Sequence, residues 1–323
     1  MEDRKNNYPL VSIIIVNWQN WSDTQECLES LLDLNYPNYK IVLIDNGSID
    51  NSVEEAKKFI AKYQNKIIID LIKLPENIGF AGGNNVGIKK TLNGDSGYIL
   101  LLNNDTLTPD KNFLGKLVDY AEKNKKAGMV SPKIYYASGF NYQNNEGTIW
   151  FGGGKINWLK TNPIHLQYQQ KEKANNNLSP KLVDWLSGCC VLVSKKMIED
   201  IGLMREDFFL YFEDTDWSLR AREKGWKLAY IPSAWILHKI AQSSGEFSPS
   251  YIYYNTRNKF ACAWQHNGIF GKAILVIVST WSYLKQLIKV KINRQREWSL
   301  AIKKGIEDFW RKKMGPSSLH FSF

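Results

Sequence analysis

The sequence predicts an α/β protein built on a sheet with parallel strands and flanking helices. Short runs rich in β-branched residues recur along the first hundred positions, polar residues follow each run, and segments with helical signals separate the runs. At 323 residues, 44% of them hydrophobic, the chain can bury one large core, or one core with an appendage.

The first two strands and the helix between them form a predicted βαβ unit. Residues 10–16 make a short apolar run, residues 22–32 carry helical signals, and residues 39–44 make a second apolar run. Parallel strands place their carboxyl ends at one edge of a sheet, and ligands bind there. We therefore expect Trp18 and Asp45, which follow the two strands, to lie at one edge.

Two further strands end in residues suited to an anionic ligand and a cation. Residues 67–74 lead into the glycine-rich run 76–87, whose glycines allow close backbone approach and free amides; it matches neither GxGxxG nor a Walker loop. Residues 98–102 form a fourth strand and deliver Asn103, Asn104 and Asp105 to the same edge. A carboxylate flanked by amides suits a hard divalent cation, although an Asx turn capping the next helix explains the same residues.

The second half of the chain has a looser pattern. Residues 134–180 predict a strand hairpin followed by a mobile loop. Residues 191–194 form a strand, and residues 226–231 and 234–237 read as two short strands with a turn at Pro232.

The stretch FFLYFEDTDWSLRAR, residues 208–222, places three carboxylates directly behind an aromatic cluster. Glu213, Asp214 and Asp216 are costly to bury as ions, so the stretch is suited to an acid/base pair or to a bound cation. Acidic residues in the first turn of a helix explain the same pattern without catalysis. His238 follows a strand end, as Asp105 does.

Six motifs in this order resemble glycosyltransferase family 2, close to its bacterial and archaeal rhamnosyltransferase-like members. The similarity spans about residues 10–238, and residues 251–260 match the Tyr-rich, Arg-Asn segment of that group. The motifs are IIIVNW, VLIDNGSIDNS, ENIGFAGGNNVGI, YILLLNNDT, WLSGCCVLVSKK and FFLYFEDTDWSLRAREKGW.

The resemblance implies an inverting enzyme with a GT-A, Rossmann-like mixed sheet flanked by helices, a nucleotide-diphosphate sugar donor and Mg²⁺ or Mn²⁺. It implies Asp214 as the general base, with Glu213 orienting the acceptor or the base. The implied metal contacts are Asp105, His238 and Asn103, the last departing from the acidic residue usual at its position. The implied donor-binding residues are Asn17, Trp18, Asp45, Asn77, Gly79, Gly82, Asn84 and Asn104. Arg257 is a further donor-binding candidate because its charge suits the diphosphate, although a folding salt bridge explains a lone arginine equally well. Trp185 and Gly188 are the implied acceptor-binding residues.

The C-terminus is basic and apolar, and we predict that it forms a helical extension over 246–323. The preceding residues, 1–245, are predicted to form a catalytic domain. Its nucleotide-sugar half covers about 1–130, and its acceptor half covers about 131–245. Within 269–290 only residues 273–284 lie between charges, too few to span a bilayer, so a helix lying on an anionic membrane surface is expected. A core helix or a homodimer helix is the alternative.

These features predict a transferase that moves a sugar, with rhamnose from dTDP-rhamnose as the first candidate, to a cell-surface glycan or lipid-linked saccharide. A UDP-linked hexose or galactofuranose donor is the alternative, and a non-catalytic basic binding module is a weaker one. A nucleotidyltransferase would need a phosphate-gripping loop that the N-terminus lacks, and no nucleic-acid partner is expected. The four cysteines lack metal or disulfide spacing, and no secretory signal is expected, so we predict a cytoplasmic protein, peripheral on the inner membrane face.

Overall fold

The computed structural model describes residues 8–137, 147–158, 162–172, 178–239, 248–292 and 296–317. The strands are β1 (Val11–Asn17), β2 (Tyr39–Asp45), β3 (Ile69–Lys73), β4 (Tyr98–Leu102), β5 (Thr106–Leu107), β6 (Ala127–Tyr136), β7 (Ile149–Phe151), β8 (Gly154–Asn157), β9 (Asn162–His165), β10 (Lys181–Leu182), β11 (Cys190–Ser194) and β12 (Lys227–His238). The helices are α1 (Trp21–Leu31), α2 (Ser52–Tyr63), α3 (Gly79–Leu92), α4 (Phe113–Lys123), α5 (Lys195–Ile201), α6 (Glu213–Glu223), α7 (Pro249–His266), α8 (Ile269–Ile292) and α9 (Arg296–Trp310).

A mixed sheet forms the centre of the molecule, which confirms the predicted α/β architecture. Its strand order is β10-β12-β6-β11-β4-β1-β2-β3, with β5 beside β12 and β7 beside β6. Strands β4, β1, β2 and β3 run parallel, while β11 runs antiparallel to both β4 and β6. The register places Asn17 opposite Asp45, so the polar residues after β1 and β2 meet at one edge.

One sequence-based expectation differs from the structure between residues 134 and 238. The segments predicted as separate strands around Pro232 are one strand, β12, whose register against β6 shifts between Ile231 and Trp235. A bulge of this kind accommodates a residue that cannot donate to the ladder, so Pro232 interrupts the pairing without ending the strand. The predicted hairpin is present as β8 and β9, and part of the predicted mobile loop, residues 173–177, lies outside the described residues.

Three helices follow the sheet, as predicted for the C-terminal part. Helix α9 packs against both α7 and α8, and Phe260, Leu275, Ile306 and Phe309 form a small core between the three. Among the described residues one helix segment, Ile269–Val290, is long and apolar enough to cross a membrane. Its mean hydropathy is 1.3, and only 17% of its most apolar stretch is buried inside the protein. The domain boundary at residue 245 stays a prediction.

Candidate active site

A cleft of about 980 Å³ opens where the parallel strands end. Its walls come from the loops after β1, β2 and β4, the start of α3, the segment before α6, and the amino-terminal half of α7. The cleft brings together the predicted donor, metal, acceptor and catalytic residues Trp18, Asn77, Gly79, Asn84, Asn103, Asn104, Asp105, Trp185, Gly188, Glu213, Asp214 and His238. The roles of these residues stay predictions.

Asn17 and Asp45, which were predicted to contact the donor, are buried and do not line the cleft. Their side chains are 1% and 2% exposed, and Asn17 Nδ2 donates to Asp45 Oδ2 at 3.1 Å. Asn17 also accepts from Thr24 Oγ1 at 2.6 Å, and the Ser48 backbone N–H donates to Asp45 Oδ1 at 3.1 Å. The pair therefore joins the loops after β1 and β2 and supports Trp18, which lines the cleft.

Asn46 organises the glycine-rich loop, a role the sequence reasoning missed. Its Oδ1 accepts from the Ile78 backbone N–H at 3.1 Å, and its Nδ2 donates to Asn77 Oδ1 at 3.0 Å and to the Gly79 carbonyl at 3.2 Å. Gly82, predicted to contact the donor, is absent from the cleft wall, and a Cβ there would meet the Ile78 side chain at 3.0 Å. Gly82 therefore serves close packing at the start of α3.

Asn103, Asp105 and His238 meet at the end of β4, where Asp105 Oδ1 lies 3.1 Å from His238 Nε2. Within the described part of the chain, Asn103 Oδ1, Asp105 Oδ1 and His238 Nδ1 are buried atoms that complete no hydrogen bond of good geometry. Burial alone would raise the pKa of Asp105, but His238 and Lys239 outweigh it and the pKa is lowered. An ionised carboxylate beside an amide oxygen and an imidazole, with acceptor capacity left over, fits a divalent cation.

Glu213 and Asp214 open helix α6 and line the same cleft. Asp214 Oδ2 accepts from the Gly188 N–H at 2.9 Å, and its Oδ1 accepts from the Thr215 N–H at 2.6 Å. Burial raises the pKa of Asp214, and these donors offset part of the rise. Burial and the Asp214 carboxylate raise the pKa of Glu213 well above its usual value. Two adjacent carboxyl groups with unequal hydrogen bonding suit a proton-accepting site.

Asp216, the third acid of the stretch, is a structural residue. It is fully buried, and it pairs with His266 Nε2 at 2.9 Å and with Arg220 Nε at 2.8 Å. Burial raises the pKa of Asp216, but the His266 and Arg220 contacts outweigh it and the pKa is lowered. This ion pair ties helix α6 to the end of helix α7.

The segment 208–212, which we call the strap, leads directly into the acidic pair and has an unusual backbone. Phe209, Tyr211 and Phe212 have φ angles of 65°, 68° and 73°. Non-glycine residues hold such conformations only where the surroundings enforce them. Asn258 of α7 provides this, because its Nδ2 lies 2.8 Å from the carbonyl oxygen of Leu210 and 2.9 Å from those of Phe208 and Tyr211.

Arg257, the candidate for contacting the donor diphosphate, is buried and does not line the cleft, which favours the alternative of a folding role. Its side chain is 1% exposed, and its guanidinium donates to the Phe208 carbonyl at 3.0 Å and to the Gly315 carbonyl at 2.7 Å. The Ser317 N–H in turn donates to the Tyr254 hydroxyl at 2.7 Å, and Ser317 lines the cleft. Arg257 therefore fastens the strap and the chain segment 315–317 to α7.

The strap also touches the glycine-rich loop. The Phe80 N–H donates to the Phe209 carbonyl at 2.8 Å, and a Cβ on Gly79 would lie only 2.4 Å from that oxygen. The Phe80 ring lies beside Gly188, which holds Asp214. The loop predicted to hold the donor and the predicted base are thus linked through the strap and through Gly188.

An aromatic wall, formed by Trp150, His165, Tyr168 and Trp185, closes the cleft beside the predicted metal position. The Trp150 ring lies 4.6 Å from the His238 ring, and His165 lies 5.2 Å from Trp185. Apart from Trp185, the sequence reasoning missed this wall, because its residues fall in the loosely patterned region. Flat aromatic faces of this kind suit the apolar C–H face of a sugar ring.

Comparisons with known proteins show which family the chain resembles. Residues 12–202 match the family model described as Glycosyl transferase family 2. The chain is 26% identical over 294 residues to the low-salt glycan biosynthesis hexosyltransferase Agl10 of Haloferax volcanii, which covers 87% of this chain and 86% of that protein. It is 26% identical over 257 residues to the N-acetylglucosaminyl-diphospho-decaprenol L-rhamnosyltransferase of Mycobacterium tuberculosis, covering 75% and 80% respectively.

Among solved structures, GalNAc-T7 with UDP, GalNAc and Mn²⁺ superimposes with a TM-score of 0.60 at 16% identity, covering 84% of this chain and 55% of that one. This likeness concerns the fold, and it confirms the predicted GT-A sheet with flanking helices.

Proposed function

The chain belongs to glycosyltransferase family 2, and we propose that it is an inverting transferase that uses a divalent cation to move a sugar from a nucleotide-diphosphate donor to a hydroxyl group of a saccharide. The donor we favour is dTDP-rhamnose, and the acceptor we favour is a lipid-linked saccharide at the cytoplasmic face of the membrane. A UDP-linked hexose or galactofuranose is the alternative donor.

One observation carries the proposal: the Asp214 carboxylate and the Asn103–Asp105–His238 group line the same cleft. Inversion requires a base on the acceptor side of the anomeric carbon and charge neutralisation on the leaving-group side. We assign Asp214 to the first task and the Asn103–Asp105–His238 group to the second.

In the proposed reaction Asp214 accepts the proton of the acceptor hydroxyl as that oxygen bonds to the anomeric carbon. The bond from the anomeric carbon to the donor diphosphate breaks at the same time, and the nucleoside diphosphate leaves with both electrons of that bond. The Gly188 and Thr215 N–H groups hold the Asp214 carboxylate in place. The raised pKa of Glu213 favours its neutral form, which leaves Asp214 as the ionised member of the pair. Asp105, His238 and Asn103 would hold a divalent cation, which neutralises the leaving diphosphate when bound.

The choice of rhamnose and of a lipid-linked acceptor rests on likeness to known proteins. The mycobacterial relative is named for L-rhamnose transfer to a decaprenol-linked saccharide, and the haloarchaeal relative for hexose transfer in glycan biosynthesis. The aromatic wall supports a saccharide acceptor, since it offers stacking surface rather than charge.

A donor screen tests the proposal. The purified chain is incubated with Mn²⁺ or Mg²⁺ and a panel of nucleotide sugars, with and without lipid-linked acceptors, and nucleoside diphosphate release is followed. We expect release from one donor, with a loss of about 10²–10⁴-fold in Asp214→Asn, the range typical of a lost general base. Asp200→Asn, an exposed carboxylate that accepts from Trp226 Nε1, serves as the matched control and keeps wild-type activity. Release that persists in Asp214→Asn would remove this residue as the base. No release from any donor would leave the weaker alternative, a non-catalytic binding module.

A further inference from the structure

Helix α8 has its polarity reversed relative to a helix on the surface of a water-soluble domain. The face that packs on α7 and α9 buries Leu275, Ser279 and Gln286, two of which are polar. Gln286 Oε1 is buried and has no hydrogen-bond partner among the described residues. The face turned away from the protein exposes large apolar side chains instead, namely Ile269, Phe270, Ile274, Val276, Ile277, Val278, Trp281, Leu284, Leu287 and Ile288.

The exposed apolar face is too wide for a helix pair. At 3.6 residues per turn these residues cover an arc of about 200°, whereas the seam of a two-helix coiled coil is a narrow stripe. Phe270 is 85% exposed, Ile277 69% and Trp281 65%, so the centre of the face is as open as its margins. A single partner helix would cover only part of a surface this wide, whereas a lipid environment can cover all of it.

Charge indicates which medium that is. From Gly268 onward the sequence has eleven Lys and Arg residues against three carboxylates, while the whole chain carries a net charge of +10. Lys285 and Lys289 lie at one margin of the apolar arc, where their long stems can place the ammonium groups among lipid headgroups. Basic residues near an anionic bilayer are attracted to its negative surface potential.

The same charges argue against a helix that crosses the bilayer. Between Lys272 and Lys285 there are only the uncharged residues 273–284, which span about 18 Å at 1.5 Å per residue. The hydrocarbon core is about 30 Å thick, so a crossing helix would bury a charge.

We propose that the α8 face binds the surface of an anionic lipid bilayer, with the helix axis in the plane of the membrane and the side chains of Phe270, Ile277 and Trp281 in the acyl boundary. The proposal extends the proposed function and rests on it, since binding to the bilayer holds the transferase close to a lipid-linked acceptor. Its test does not depend on that function, because it measures binding without a donor.

The experiment is co-sedimentation of the full chain with vesicles of phosphatidylcholine alone or of phosphatidylcholine mixed with phosphatidylglycerol. We expect partitioning to the anionic vesicles at least 10-fold above that to the neutral ones, and weakening by salt. The double variant Ile277→Glu, Trp281→Glu should lose at least 10-fold in binding with an unchanged melting temperature, because both side chains are exposed. Ile68→Glu replaces an Ile that is 64% exposed on another face and should bind as wild type does.

Three results would overturn the proposal. The first is an absence of binding to both vesicle types. The second is a dimer in light scattering that the double variant dissolves, since the face would then belong to a second copy of the chain. The third is retention of the chain in cell membranes after alkaline carbonate extraction, which would indicate a spanning helix.

Discussion

Replacing Gly79 with Ala tests whether the strap and the glycine-rich loop position the base. Gly79 has a φ of +81°, and a Cβ at this position would lie 2.4 Å from the Phe209 carbonyl oxygen and 2.7 Å from Phe209 Cδ2. Non-bonded heavy atoms pack at about 3.5 Å, so the strap carbonyl must retreat by about 1 Å. That movement opens the Phe80 to Phe209 hydrogen bond, which is 2.8 Å long.

The expected cost follows from two terms. The left-handed backbone disfavours a side chain by about 1–2 kcal/mol, and overpacking adds about 1–3 kcal/mol. Because the strap leads directly into Asp214, a shift of about 1 Å should also lower kcat by about 100-fold. Gly225→Ala is the matched control: its φ is +83°, but no described atom lies within 4 Å of the added Cβ. It should lose only the backbone term of about 1–2 kcal/mol and keep its kcat.

The assay pairs thermal unfolding of both variants with nucleoside diphosphate release from the donor that the screen identifies. Equal losses of stability in the two variants, together with wild-type kcat in both, would refute the idea that this contact positions the base.

Three other predictions follow from the site. The pKa of Glu213 is raised in the folded state, so ionising this carboxyl group costs stability as the pH rises above its pKa in the unfolded state. Glu213→Gln should therefore have a higher melting temperature than wild type at pH 8 and the same melting temperature near pH 4. A lower melting temperature of the variant at pH 8 would contradict this. Asp105→Asn should weaken Mn²⁺-dependent binding of nucleoside diphosphate by at least 10-fold in calorimetry while leaving metal-free binding unchanged, and equal affinity for wild type and variant in Mn²⁺ would count against a metal role. Asn258→Leu removes the amide that donates to the Leu210 and Tyr211 carbonyls, so it should lower the free energy of unfolding by about 2 kcal/mol or more. It should also lower kcat with little change in KM. Wild-type unfolding and kinetics would mean that the strap keeps its conformation without Asn258.

The parts of the site that sit at strand ends were predictable from the sequence. Asp105 follows a continuous apolar strand, and β4 runs parallel to β1, so chain topology alone brings it to the edge near Trp18. The acidic pair was visible because Glu213 and Asp214 directly follow an aromatic run. The positions of such residues follow from the local sequence and from the rules of sheet geometry, and both can be applied to a single sequence.

Contacts between distant segments were not predictable in this way. The basic character of Arg257 suggested a phosphate partner, yet burial turns its guanidinium to backbone carbonyls. Asn258 and Asn46 belong to no pattern in the sequence that indicates a structural role. Only the tertiary structure shows that the side chain of each residue holds a loop of the cleft in place. The aromatic wall was missed for a related reason, since Trp150 and His165 lie in short strands without a clear period.

The return of residues 315–317 to the cleft has a consequence for how the protein is made. Arg257 and Tyr254 hold this segment, and Ser317 forms part of the wall. A ribosome releases the catalytic sheet first, then the lipid-facing helix, and this segment after both. The wall of the cleft is therefore completed only after the sheet and helices α7 to α9 have left the ribosome, so the cleft forms later than the sheet that supports it.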